Sequence, residues 1–269
     1  MTGIRRPISV STVISIALLT GLTQSIAAEV SLGNFDSAMS GLPTPWQLIR
    51  LESSVPPTKY RQVHWDGVDP IEARADSSMA LLGRLVEVDL IQTPMLCWRW
   101  RIDGVVHSAD MTRRRGDDYA ARVYLAFSLP RESLSFADRA ALALARGLFG
   151  PHLPDGAINY VWDNRHATGT RMPNAYTSRA QMVVQRSGNA DAGSWVSERV
   201  NVLQEMERTF GTTRGRLQLV AIGSDSDNTG ESVRAGFTQI HFVSADQPCQ
   251  TDRFRSAQLV SPSGPLHGQ

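Results

Sequence analysis

Charged side chains that could bind a ligand alternate with apolar ones along two strand-like runs near the middle of the chain. Successive side chains of a strand point to opposite sides, so Arg99 and Arg101 share one face of the first run. Arg122 and Tyr124 share a face of the second run in the same way. If the runs are neighbours in one antiparallel sheet, the four side chains form a single surface. The two runs cover residues 96–103 and 119–127.

Two further polar residues extend this predicted ligand surface. Asp118 stands at its rim, and Asn159 lies in a strand-like run over residues 157–162. Arginines donate paired N–H bonds to carboxylates, so the surface predicts a saccharide or other acidic ligand. An internal salt-bridge network, in which Asp103, Asp117 and Asp118 neutralise the arginines and a helix covers the face, is an interpretation that stays open beside it. The predicted ligand-binding residues are Arg99, Arg101, Asp118, Arg122, Tyr124 and Asn159.

Adjacent aspartates raise the alternative of acid/base catalysis on a polysaccharide. Glycoside hydrolysis uses two carboxyl groups on either side of the scissile bond. Asp117 and Asp118 point to opposite sides of an extended segment, so these two cannot form such a pair. A partner such as Glu198, Asp163 or Asp225 would be required, and a lyase would need a proton-transferring tyrosine or histidine. We predict no catalytic residue, and hydrolase or lyase activity is the alternative.

A loop near the C-terminus offers oxygen ligands for a hard cation. Asp225, Asp227 and Asn228 provide three side-chain oxygens within four residues, which predicts a calcium site. The helix-loop-helix calcium motif does not fit, because Gly236 stands where a bidentate glutamate is needed. A turn in which these side chains bond their own backbone is the alternative. No other cofactor is predicted, since the chain has no glycine-rich phosphate loop or clustered histidines.

The elements that carry these residues are short strands separated by turn signals. Such strands at regular spacing predict a mainly β fold, an antiparallel jelly-roll sandwich. Two short helical insertions interrupt it. The first begins near Ser135, a capping residue, and stops at Gly150. The second covers residues 202–210, with Asn201 as the cap and Gly211 as the stop.

Length and termini define the predicted domain organisation and location. The 269 residues are 42% hydrophobic, enough for one large core. Residues 1–28 are predicted to be a signal peptide, because two arginines precede a short apolar run and small residues. One sandwich domain over 29–245 and a loose tail over 246–269 follow. The chain is therefore expected to be exported, to the periplasm or the cell exterior.

Charge argues against a nucleic-acid partner. Removing residues 1–28 removes two arginines and no acids, so the formal net charge changes from +1 to −1. No later segment is apolar enough to span a membrane. Cys97 and Cys249 are the only cysteines. In an oxidising compartment they could pair, or they could be a buried thiol and an unrelated thiol.

Several runs together resemble a known bacterial family. They are 98–103, 116–124, 158–162 and 225–229, and Gly-Asp-Asp-Tyr-Ala-Ala-Arg-Val-Tyr over 116–124 is the most specific of them. The family is catalogued only as domain of unknown function three-zero-four-seven, so the resemblance implies no activity. The order of elements also resembles the jelly-roll sandwiches of carbohydrate-binding modules, a likeness of fold that does not decide function.

Three hypotheses of function follow from these observations. The first is an exported protein that binds a saccharide or other envelope-associated ligand on an arginine-rich sheet face, without catalysis. The second is a polysaccharide-active hydrolase or lyase that uses the same face. The third is a structural or partner-binding envelope protein whose charged face is satisfied internally. Nothing in the sequence predicts an oligomeric state.

Overall fold

Two β-sheets pack face to face in the computed structural model, which describes residues 29–36, 38–39, 41–149 and 153–250. The helices of this part of the chain are α1 (Phe136–Phe149) and α2 (Val202–Phe210). Its strands are β1 Val30–Gly33, β2 Gln47–Ile49, β3 Lys59–Gln62, β4 Ile71–Asp76, β5 Leu81–Leu85, β6 Met95–Ile102, β7 Ala121–Ser128, β8 Gly156–Asp163, β9 Arg171–Pro173, β10 Ala180–Ser187, β11 Val196–Asn201, β12 Arg216–Gly223 and β13 Ser232–Val243.

The mainly β sandwich predicted from the strand spacing is confirmed. The six-stranded sheet has the order β11-β6-β13-β4-β3, with β1 also paired to β13. The seven-stranded sheet has the order β2-β5-β12-β7-β8-β10-β9. Nearly all described pairs are antiparallel, but β8 and β10 run parallel. The seven-stranded sheet is therefore mixed rather than purely antiparallel.

Aromatic side chains fill the space between the sheets. Trp98 of β6 contacts Tyr160 of β8 with ring centroids 5.5 Å apart, and Trp100 contacts Trp162 at 5.6 Å. All four rings are buried, and their burial removes a large apolar area from water. Because these residues point inward, the residues between them on each strand must point outward. The alternation therefore leaves polar residues on the two outer surfaces of the sandwich.

The predicted helix boundaries agree with the observed ones. Asn201 caps α2 through its side-chain oxygen, which accepts a bond of 3.0 Å from the backbone N–H of Gln204. Gly211 ends the same helix with φ of 67°, a left-handed conformation that favours glycine. Ser135 precedes α1 and accepts a bond of 3.0 Å from the N–H of Asp138. These caps satisfy donors that the first turn of a helix leaves unpaired.

The expected pairing of the two central runs is wrong. β6 lies between β11 and β13 in the six-stranded sheet, whereas β7 lies between β12 and β8 in the other. The chain crosses from one sheet to the other between them. Arg99 and Arg101 therefore lie on one outer surface of the sandwich, and Arg122 and Tyr124 lie on the opposite one. Alternation determines which way a side chain points, but not which strand is its neighbour.

A disulfide joins Cys97 of β6 to Cys249. Arg199 also donates to the backbone carbonyl oxygen atoms of Ala245 and Gln247. The first residues of the predicted loose tail are thus attached to the six-stranded sheet, unlike our expectation for 246–250. The rest of that tail and the predicted signal peptide lie outside the described residues. Neither helix of the described residues combines the length and hydropathy needed to cross a bilayer.

Candidate functional site

Six basic side chains lie together on the outer surface of the six-stranded sheet, which we call the arginine face. Strand register aligns Lys59 with Arg74, and Arg74 with Arg234, in one row across three neighbouring strands. The next row extends to β6 and contains Arg61 and Arg101, with Glu72 and Gly236 between them. Like charges directly opposite one another destabilise a sheet, so the row of Lys59, Arg74 and Arg234 needs negative charge nearby. The basic residues of the arginine face are Lys59, Arg61, Arg74, Arg99, Arg101 and Arg234.

Two tryptophans organise this face around a glycine. A Cβ atom at Gly236 would lie 2.6 Å from the Trp195 ring and 3.1 Å from the Trp65 ring, so this position must lack a side chain. The guanidinium groups of Arg234 and Arg101 stack on Trp65, 3.5 and 4.6 Å from its ring centroid. Stacking holds the flat face of a guanidinium and directs its N–H edge toward acceptors, which include Glu72 for Arg234 and Asp66 for Arg101.

One buried carboxylate accepts hydrogen bonds from three of these arginines. Glu72 accepts hydrogen bonds from Arg61, from Arg74 at 3.1 Å and from Arg234 at 2.7 Å. Burial acts to raise the pKa of Glu72, but these bonds outweigh it and hold the pKa at about 2. Each guanidinium has five N–H donors, so sharing one carboxylate leaves donors for another acceptor. Asp66 similarly bonds Arg101.

A groove of about 720 Å³ opens beside the basic row. Its volume falls within the range of ordinary ligand pockets, roughly 300–1,000 Å³. Three acidic residues also line the groove, and each bonds protein groups: Asp76 accepts from Ser232, Asp103 from Arg234, and Glu231 from two backbone N–H groups. The basic residues in its lining are Lys59, Arg74 and Arg234, with His107 beside them.

The arginine face contains only two of the predicted ligand residues, Arg99 and Arg101. Its other basic members were not predicted as ligand residues, although the sequence contains a signal for them. Lys59 with Arg61, and Glu72 with Arg74, alternate along their strands with the same period of two. Each run is short, so the pattern gains meaning only when the register places the runs side by side.

A second polar site lies on the outer surface of the seven-stranded sheet, where four aspartates surround Arg122. Arg122 bonds Asp225 through two nitrogen atoms, with Nε 2.9 Å from Oδ1. Both side chains are buried. A Cβ atom at Gly223 would lie 2.9 Å from Cγ of Arg122, so a side chain there would displace the arginine. We call Asp117, Asp118, Asp225 and Asp227 the aspartate cluster.

The two adjacent aspartates have separate partners. Asp118 accepts bonds from the backbone N–H of Thr229 at 2.7 Å and from the Asn228 side-chain amide at 3.1 Å. Asp117 accepts from the Asn174 amide at 2.8 Å and from the Tyr119 hydroxyl at 3.1 Å. Asp118 is buried, with 1% of its surface exposed.

Carboxylate repulsion is strong in the aspartate cluster. Oxygen atoms of Asp118, Asp225 and Asp227 lie within 4.8 Å of one another. Burial raises the pKa of Asp225 well above its ordinary value; Arg122 opposes this shift, and the neighbouring aspartates add to it. Burial and repulsion from Asp118 likewise raise the pKa of Asp227. Bound protons or a bound cation would relieve this repulsion.

The predicted cation ligands are only partly brought together. Asp225 and Asp227 belong to the aspartate cluster, but Asn228 turns its NH2 group toward Asp118 and accepts from the Tyr176 hydroxyl at 3.0 Å. Asp118, which is more than a hundred residues away in sequence, supplies the third carboxylate instead. Sequence spacing within one loop could not identify it.

Tyr124 and Asn159 lie beside the aspartate cluster on the same outer surface. They are directly opposite each other on β7 and β8. Burial raises the pKa of Tyr124 to about 12, so its hydroxyl remains protonated near neutral pH. Asn159 is buried, with 2% of its surface exposed. Arg122, Tyr124 and Asn159 are therefore on this sheet and Asp118 lies in the segment before β7, whereas the other two predicted ligand residues are on the arginine face.

Sequence comparison decides the family. The model of a family described as "Protein of unknown function (DUF3047)" matches residues 44–241. The chain belongs to the DUF3047 family. In this DUF3047 member, the runs 116–124 and 225–229 meet at the aspartate cluster. No curated protein matches the chain.

Two solved structures are similar to this DUF3047 member. One is the family 11 carbohydrate-binding module of the cellulosomal cellulase Lic26A-Cel5E of Clostridium thermocellum, with TM-score 0.39 and 9% identity; the similarity covers 82% of this chain and 97% of that chain. The other comes from a comparison of family 12 glycoside hydrolases, with TM-score 0.43 and 10% identity over 81% of this chain and 100% of that chain. Neither similarity says which molecule this chain binds.

Proposed function

We propose that this protein binds an acidic saccharide on the arginine face without transforming it. The observation that carries the proposal is the row Lys59–Arg74–Arg234, in which three cations face one another across neighbouring strands beside a groove. Glu72 offsets part of this positive charge, and a bound anion would offset more of it. Arginine stacked on tryptophan is preorganised for carboxylate or sulfate groups, since its N–H edge is already oriented.

Binding without catalysis is supported by the lowered pKa values of two carboxyl groups near the groove. Glu72 has a pKa of about 2, which keeps it charged. Burial acts to raise the pKa of Glu231, but backbone N–H bonds from Ser108 and His107 outweigh it, so this pKa lies below its ordinary value. A general acid needs a pKa near the working pH. Neither residue is suited to protonate a leaving group.

The binding proposal predicts that Arg74→Ala loses affinity for an acidic saccharide and that a control variant does not. We expect affinity for an oligogalacturonate to fall about 10-fold or more, because a charge-assisted hydrogen bond contributes roughly 1.5–3 kcal/mol. Isothermal titration calorimetry measures the affinity. Arg214→Ala is the matched control, since Arg74 and Arg214 are 52% and 69% exposed and each pairs with a glutamate.

The outcomes separate the three hypotheses of function. The proposal would be contradicted if a neutral cello-oligosaccharide bound with the same affinity as the oligogalacturonate. It would also be contradicted if Arg74→Ala and Arg214→Ala lost the same affinity for the oligogalacturonate. Release of reducing ends or unsaturated products would favour the hydrolase or lyase, for which the close carboxylates of Asp118, Asp225 and Asp227 are the supporting observation. A protein that neither binds nor cleaves the glycan would be structural or would bind a protein partner.

We also propose that calcium binds Asp118, Asp225 and Asp227. Four carboxylates around one guanidinium carry excess negative charge, and oxygen-rich sites favour calcium. Calcium should therefore raise the melting temperature, and a chelator should lower it. Asp227→Asn should reduce this calcium-dependent shift. A melting curve that is the same with calcium and with chelator would rule the site out.

We propose further that the protein is exported, to the periplasm or the cell exterior. The signal-peptide-like sequence over 1–28 supports this location. The Cys97–Cys249 disulfide also supports it, because such bonds persist in oxidising compartments and are rare in the cytosol.

A further inference from the structure

The outer surface of the seven-stranded sheet has a floor of small side chains beside the aspartate cluster. Ala126, Ala157 and Ala180 align across β7, β8 and β10. Ala221 lies in the next row, directly opposite Tyr124. All four alanines are buried and lie outside the main apolar core, so they face away from the other sheet. Their burial shows that other residues of the chain cover this floor, so a ligand bound there would be enclosed.

Asn159 extends from this floor without using its acceptor. The neighbouring residues Ile158 and Tyr160 belong to the core between the sheets, so alternation directs Asn159 to the outer surface. Only 2% of its surface is exposed, and its Oδ1 atom has no hydrogen-bond partner among the described residues. A buried acceptor without a partner costs roughly 1–3 kcal/mol, so most are paired in native proteins.

An arginine at the same place has an unused donor. The Nη1 atom of Arg179 is buried and meets no acceptor in the described part of the chain. Arg179 lies within electrostatic reach of Tyr124, of Asp138 and Arg146 on α1, and of Asp155. Arg122 acts on Tyr124 from the other side. This part of the outer surface therefore contains a phenol hydroxyl together with an amide oxygen and a guanidinium nitrogen that both lack a hydrogen-bond partner among the described residues.

The complementary ligand has both a hydroxyl group and a carboxylate. The Asn159 oxygen needs a donor, which a hydroxyl supplies, and the Arg179 nitrogen needs an acceptor, for which a carboxylate gives the stronger, charge-assisted bond. We infer that the surface around Tyr124, Asn159 and Arg179 is a second ligand site, which takes a small hydroxy acid such as a monomeric sugar acid. The site is independent of the arginine face, which lies on the opposite surface of the sandwich.

Asn159→Leu distinguishes a ligand site from a structural asparagine, with D-glucuronate as the probe. We expect glucuronate affinity to fall at least about tenfold, while the melting temperature stays the same or rises, since leucine removes an unpaired buried polar group at similar volume. Ligand-observed NMR titration measures the affinity. Asn174→Leu is the matched control, because its amide bonds Asp117 and Tyr176, and it should lower the melting temperature.

A second variant keeps the test decisive if Asn159→Leu fails to fold. Tyr124→Phe removes one oxygen atom and should also weaken glucuronate binding. Full affinity in both variants, or no binding of glucuronate to the wild-type protein, would overturn the inference. Equal affinity for D-glucose and D-glucuronate would also overturn it, because the bond between Arg179 and the carboxylate would then not contribute to binding. Asn159→Leu should lower glucuronate affinity by the same factor in the wild-type and Arg74→Ala backgrounds, so this inference and the proposed function can fail separately.

Discussion

Replacing Arg122 with alanine is expected to lower the free energy of unfolding by about 3–5 kcal/mol. The side chains of Arg122 and Asp225 are 8% and 4% exposed, so the variant leaves a carboxylate buried without its cation. Asp118 and Asp227 lie close to that carboxylate and add repulsion. Urea denaturation measures the loss. Arg214→Ala is the control, because Arg214 and its partner Glu132 are 69% and 62% exposed and surface pairs contribute roughly 0–1 kcal/mol.

The deficit of Arg122→Ala, which is its loss of unfolding free energy relative to the wild-type protein, should depend on pH in a defined direction. Burial raises the pKa of Asp225, and Arg122 opposes the rise, so removing Arg122 raises this pKa further. A carboxyl group with a raised pKa favours folding only while it is protonated. The deficit should therefore be smallest near the ordinary pKa of aspartate, about 3.9, and should grow as the pH rises. A loss below about 1 kcal/mol at neutral pH, or a loss that does not change with pH, would show that the ion pair is not buried as described.

Removing the disulfide is expected to cost about 2–5 kcal/mol of stability. Cys97 and Cys249 are 152 residues apart, so the bond closes a large loop and restricts the unfolded chain strongly. Unfolding of the double variant Cys97→Ala/Cys249→Ala measures the effect.

Treating the wild-type protein with a reducing agent tests the same bond without a substitution. The reduced protein should match the double variant, and the reducing agent should leave the double variant unchanged. If the oxidised and reduced proteins unfold at the same denaturant concentration, the bond does not contribute to stability. Binding at the groove beside Arg74 should persist in the double variant, because the disulfide is not part of its lining.

Local sequence signals predicted the elements well. Helix α2 begins at the Asn201 cap and ends at Gly211 as expected, since a cap and a stop depend on adjacent residues alone. The inward tryptophans and outward arginines of β6 follow from alternation in the same way.

The candidate sites were predicted less completely, because each combines residues that are distant in sequence. The arginine face joins Lys59 and Arg74 to Arg234 through strand register. The aspartate cluster joins Asp118 to Asp225 across more than a hundred residues. Neither combination has a spacing that a reader of the sequence could recognise.

The sequence by itself determined the sandwich class, the helix caps and the direction in which each strand side chain points. These follow from periodicity and from neighbours within a few residues. Only the tertiary structure decided that β6 and β7 belong to different sheets, which separates Arg101 from Arg122. Strand pairing depends on which distant apolar faces pack best, and many pairings satisfy the same alternation. The polar residues that come together therefore depend on the whole fold.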